Sequence, residues 1–144
     1  MGTCTLWSCD IKLTAQPMSA SQARHFVRHH LLVHGLAHVS DDVELVVSEL
    51  ATNAMLHAQT SFKVSLHAFE ATLLLEVQDG SWSGPVQVVA RVRDTNGRGI
   101  AIVNLLSRDW GVDAHADGGK SVWAEFSLLR VAQPELGTFP CASA

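Results

Sequence analysis

The feature that most constrains this chain is a change of hydrophobic period near its middle. Between residues 40 and 58, Val43, Leu45, Val46, Val47, Leu50, Ala51, Ala54 and Met55 recur at a spacing of about 3.6 residues. After Ala58 the period becomes 2: Phe62, Val64, Leu66 and Ala68 alternate with Ser61, Lys63, Ser65 and His67. The helical part is apolar over more than one narrow stripe, so it is expected to be well buried. Ser40 offers a cap for it, and Asp41 and Asp42 sit where the helix dipole favours negative charge.

The remaining segments follow the same rules. Residues 3–14 alternate loosely and predict an edge strand. Pro17 and Ser19 start a helix over 19–33, with Gly35 as its stop. Glu70-Ala71 turns the chain into a second strand over 72–78, which makes an antiparallel hairpin. A long loop rich in Gly and Pro runs from Asp79 to Gly97, and loops of that length are functional or mobile. A helix over 99–109 and strands over 110–116 and 121–129 complete the pattern. The order predicts an α+β fold: a two-layer α/β sandwich, with a mostly antiparallel mixed sheet and its helices on one face. The domain is expected over 1–130, with a loose tail over 131–144 that contains Pro134, Gly137 and Pro140.

Composition narrows the function classes. The 144 residues suit one domain. Hydrophobic residues make up 47% and charged residues 17%, which excludes a disordered chain. A formal net charge of -4 argues against a direct nucleic-acid footprint. No apolar run approaches the ~20 residues of a membrane helix. The start of the chain lacks a signal-peptide pattern, and three cysteines without metal-ligand spacing suit a reducing cytosol. The expectation is therefore a cytoplasmic protein that does not bind membranes.

Three clusters carry chemistry. Glu49 and Asn53 lie four apart in the buried helix, so both project from one face. A carboxylate and an amide oxygen suit Mg²⁺ with its waters. The carboxylate could equally orient or deprotonate a nucleophile, and the pair also fits a solvated Glu beside a surface Asn. Asp79-Gly80-Ser81 ends a strand, where a carboxylate can accept a hydrogen bond from an exocyclic amine and glycine lets a flat ring approach; Asp-Gly is also an ordinary turn. Asn96-Gly97-Arg98-Gly99 opens a helix, where backbone N–H groups and the dipole favour phosphate.

Taken together and in this order, the clusters resemble the GHKL superfamily of histidine-kinase-like ATPases, and within it the small stand-alone anti-sigma-factor serine kinases. Residues 49–54 (ELATNA) resemble the N box, Asp79-Gly80-Ser81 with Pro85 the first glycine box, and residues 97–103 (GRGIAIV) the second. Residues 106–111 (LSRDWG) and 119–123 (GKSVW) are similar to the closing strands. The resemblance covers about residues 10–129 and implies a Bergerat-type ATP-binding fold. It implies that ATP and Mg²⁺ are bound, with Asn53 as the metal ligand and Glu49 as the base or the group that positions the attacking hydroxyl. It further implies that Asp79 takes the adenine amine, that Ser81 belongs to the same glycine box, and that Gly97 and Gly99 hinge a lid against the phosphates. Ser121 would help hold adenine through water. Arg91, Arg93 and Arg98 are the candidates for the γ-phosphate. Leu56 stands where a basic residue is often found in the family, and Ser81 where many members have Gly.

The implied function is an anti-sigma factor that is also a protein-serine/threonine kinase acting on an anti-anti-sigma antagonist. The alternative is an ATP-binding module that regulates a partner without significant turnover. Relatives that form dimers make a homodimer an expectation too. His25, His29, His30, His34 and His38 cluster around the first helix. His30 and His34 have a spacing that zinc can use, yet a surface or partner-facing helix accounts for them as well.

Overall fold

The computed structural model describes residues 4–58, 60–80, 98–116 and 118–129. The elements are β1 (Trp7–Leu13), α1 (Ser19–Val33), α2 (Ala37–Asn53), a π-helical turn (Ala54–Ala58), β2 (Phe62–Ala68), β3 (Thr72–Asp79), α3 (Arg98–Leu106), β4 (Asp109–Ala114) and β5 (Lys120–Ser127). The strands form one five-stranded sheet in the order β1-β2-β3-β5-β4. Every neighbouring pair is antiparallel, so the expected mostly antiparallel sheet has no parallel step among the described residues. No helix among the described residues is long and apolar enough to cross a membrane.

α1 forms where it does because Ser19, Ala23, Val27 and Leu31 recur every four residues and are all buried. The Ser19 hydroxyl donates to the Thr14 carbonyl at 2.5 Å and ties the helix start to the end of β1. The stop is a left-handed cap. Gly35 has φ +74°, a conformation that costs glycine little. Leu36 N–H donates to Leu31 O at 2.7 Å and Gly35 N–H to Leu32 O at 3.2 Å, the paired bonds of a Schellman turn.

That turn corrects one expectation. α2 begins at Ala37, three residues before the anticipated cap, because the chain reverses at Gly35 and re-enters helix at once. Ser40 therefore lies inside the helix and donates to Glu44 Oε2 at 2.5 Å, with no capping bond.

Side chains of β3 alternate, and Leu73, Leu75, Val77 and Asp79 are the buried set. The register places Ala68, Leu66, Val64 and Phe62 of β2 opposite them on one side. Phe126, Ala124, Val122 and Lys120 of β5 lie opposite on the other. Directly opposed residues share a face, so this is the layer on which the helices pack. α2 supplies Val43, Val46, Val47 and Leu50 to it, and α3 supplies Val103. Burial of each such Val or Leu contributes about 1.5–3 kcal/mol.

The other face of the sheet carries Lys12, Lys63, His67, Glu76, Gln78, Ser121 and Trp123. There the Trp123 indole lies over Gly111, where a Cβ would stand 2.6 Å from Cζ2. At the sheet edge, Trp7 stacks on His34 with ring centroids 3.9 Å apart and an 11° interplanar angle.

Candidate functional site

Asn53 is the last residue of α2 and is only 8% exposed. It belongs to the buried side of the helix with Val46, Leu50 and Ala51, and it precedes the π-helical turn, a feature frequent at functional sites. α2 contacts β3 and β5, and the π-helical turn contacts β3. Glu49, one turn before Asn53, is half-buried. Nearby, Arg24 Nη1 of α1 donates to Ser48 Oγ at 3.0 Å, which ties this stretch of α2 to α1, and Thr52 Oγ1 donates within α2 to Ser48 O at 2.7 Å.

Asp79 closes β3 on the helix-facing side and is 6% exposed. Asn53 and Asp79 thus both enter the layer between helices and sheet. The Asp79 carboxylate has a partner that sequence reasoning missed: Lys120 Nζ donates to Oδ2 at 2.7 Å. The two residues face each other across the β3–β5 ladder. A carboxylate offers about four lone-pair sites, so one ammonium bond does not exhaust it. Beside the pair, Gly119 is packed so closely that a Cβ would lie 2.6 Å from the Asp79 carbonyl oxygen. Backbone cannot swing aside as a side chain does. Gly119→Ala is therefore expected to cost about 1–3 kcal/mol of stability; a melting temperature equal to wild type would contradict the close packing.

Ser121 follows Lys120 and points the opposite way. It faces Gln78 and Asp113 in the register, on the sheet face away from the helices, and its Oγ lies 2.7 Å from His115 Nε2. The residue that enters beside Asp79 is Lys120. Ser81 and Gly97 lie outside the described residues, as do Arg91 and Arg93. Arg98 and Gly99 are the first two residues of α3.

A cavity of about 400 Å³ adjoins Asp79 and is lined also by Lys12, Thr60, Ser61, Lys63 and Gln78. Neither Asn53 nor Glu49 lines it. It opens at the end of the sheet where the outer-face lysines lie, so it is separate from the α2 cluster. No group of three or more His, Cys, Asp or Glu residues that could hold a metal occurs among the described residues.

Two titration shifts arise away from this cluster. Burial, with Asp10 adding to it, pushes the Cys9 thiol up to about 11. Burial, then His29 and His34, holds His30 below the ordinary imidazole range.

The site therefore combines an amide and a carboxylate buried in one layer, a half-buried acid one turn from the amide, and a helix opening with Arg and Gly. Comparison with known proteins bears on this arrangement. No curated protein matches the chain. Among solved structures, the RsbU and RsbW domains of Rv1364c from Mycobacterium tuberculosis align with a TM-score of 0.67 at 20% identity, over 88% of this chain. The chain spans about a third (34%) of that solved chain's length. At this identity the likeness is one of fold. The family described as "Histidine kinase-like ATPase domain" matches residues 13–126, which include α1 through β4 and all but the last residue of β5. The chain belongs to the histidine kinase-like ATPase domain family.

Proposed function

We propose that the chain is an ATP-binding anti-sigma factor that transfers phosphate to a Ser or Thr of an anti-anti-sigma antagonist. The observation that carries this reading is the burial of Asn53 and Asp79, 8% and 6% exposed, between helices and sheet in a chain of this ATPase family.

The chemistry follows from the donors. Mg²⁺ takes one or two protein oxygens and completes its shell with waters and phosphates. The single hard oxygen of Asn53 fits that demand. When bound, the ion neutralises charge on the phosphates, and phosphoryl transfer is mostly positioning and neutralisation of this kind. Asp79 accepts from the adenine amine. Ser81 and Gly80 let the ring approach, Gly97 and Gly99 let the lid close, and Arg98 at the opening of α3 adds charge near the phosphates. Glu49 accepts the proton of the attacking Ser or Thr Oγ as that oxygen bonds to the γ-phosphorus. The bond to the β,γ-bridging oxygen breaks, and ADP leaves with its electron pair. The new phosphate adds roughly −1.5 to −2 charge to the antagonist, enough to disrupt docking and switch partners. The sigma factor would be held near α1, and the protein would act in the cytoplasm.

Calorimetric titration with Mg·ATP tests the pocket. Wild type is expected to bind, and Asn53→Ala to bind roughly 100-fold more weakly, the loss of one strong ionic contact. Equal affinity in the two proteins removes Asn53 from the nucleotide site. Binding without phosphoryl transfer to any antagonist points instead to a module that ATP regulates without turnover.

A further inference from the structure

We propose that Lys120 is a positioning residue that sets the preference of the Asp79 site for a 6-amino over a 6-oxo purine. The inference rests on the nucleotide reading above and deepens it. Lysine is rarely this buried: the Lys120 side chain is 9% exposed and its partner Asp79 4%. The two stand directly opposite each other at the end of the β3–β5 ladder, on the helix-facing side. The next opposed pair along that face is Val77 and Val122, so the ion pair terminates an apolar row.

That location gives the pair one task that packing alone does not require. A carboxylate swings about its last side-chain bond through a broad, roughly two-fold range. The Lys120 Nζ donor at 2.7 Å from Oδ2 favours the carboxylate orientation that keeps this oxygen on the ammonium. Gly119 packs on the backbone of the same residue, where a Cβ would lie 2.6 Å from the Asp79 carbonyl oxygen, so the main chain that carries the carboxylate is closely held. An ion-paired carboxylate is an acceptor only. In that orientation it receives the N–H of a 6-amino group and repels the carbonyl oxygen of a 6-oxo group. Without Lys120 the carboxylate loses its favoured orientation, and the distinction between the two purines fades. Fixed orientation is what converts a charge into specificity, since affinity for one ligand over another is a difference between two fits.

The test measures Mg·ATP and Mg·inosine triphosphate affinities by calorimetry for wild type, Lys120→Met and Lys120→Arg. Inosine triphosphate has the same phosphates and ribose and carries a carbonyl in place of the amine, so its affinity reports every contact except the amine N–H donated to Asp79. Wild type is expected to prefer ATP by at least about tenfold, the value of one hydrogen bond to a charged group. Lys120→Met is expected to lose about tenfold in ATP affinity and less than about twofold in inosine triphosphate affinity. Lys120→Arg keeps an ionic donor and is expected to restore most of the preference. Parallel loss of both nucleotides in Lys120→Met, or a tighter ATP complex, overturns the proposal. If Lys120→Met does not fold, Lys120→Gln replaces it, and an unchanged ATP-to-inosine ratio in Lys120→Gln is equally fatal. Wild type that binds neither nucleotide overturns the nucleotide reading itself, which separates that failure from this one.

Discussion

Asp79→Ala is expected to lower the unfolding free energy by about 3–5 kcal/mol, the usual result of stranding one member of a buried ion pair. Lys120 Nζ would remain in the helix-facing layer without the carboxylate that now sits 2.7 Å away. Its neighbours on that face, Val77 and Val122, have no side-chain acceptor to offer. The double variant Asp79→Ala with Lys120→Met removes both charges and is expected to recover most of the loss, because replacing a whole buried pair with apolar groups is often close to neutral. Urea denaturation of the three proteins decides this. Single and double variants that lose stability equally would assign the effect to lost packing, and a harmless single variant would mean that the ammonium reaches water.

The second large effect concerns turnover. Glu49→Ala is expected to reduce phosphoryl transfer to an antagonist by about 10²–10⁴, the range that a positioned general base supplies. Mg·ATP affinity should stay within about twofold, because Asn53 and Asp79, the proposed nucleotide contacts, are retained. The separation has a structural basis. Glu49 is half-buried at the rim of α2, whereas Asn53 one turn later is buried. A rim carboxylate can meet a hydroxyl arriving from outside without holding the nucleotide. Transfer of radiolabel from ATP, measured beside calorimetry, gives both quantities. Undiminished transfer would dismiss Glu49 as the base, and a matching loss of affinity would make it a binding residue.

Much of the fold was legible because burial imposes a period. Ser19, Ala23, Val27 and Leu31 define α1 over its full length, and the alternation from Phe62 defines β2 as observed. Ser40 has capping chemistry and predicts a later start for α2, while the decisive constraint is the left-handed turn at Gly35, two residues before Ala37. The π-helical turn after Asn53 has no signature in hydrophobic spacing. Asn53 and Asp79 stood out as polar residues inside apolar patterns, and burial of both is what the structure adds. Lys120 could not be found the same way. Its partnership depends on which residue of β3 it faces, and strand register is set by three-dimensional pairing. The same parity separates Ser121 from Asp79: one step along β5 moves a side chain from one face of the sheet to the other. Resemblance to a motif gave Ser121 a place in the sequence, and the pleat decided its direction.

The rung formed by Asp79 and Lys120 joins positions 41 apart in sequence at the centre of the sheet. The chain between them leaves the sheet after β3, rejoins it at the edge through β4 and comes back beside β3 through β5. Closure entropy rises slowly with length, by about 0.6 kcal/mol per doubling. Insertions and deletions after Gly80 thus leave the pairing of β1, β2, β3 and β5 intact, provided that β4 still reaches its edge. A different excursion grafted between β3 and β5 would then meet an unaltered foundation.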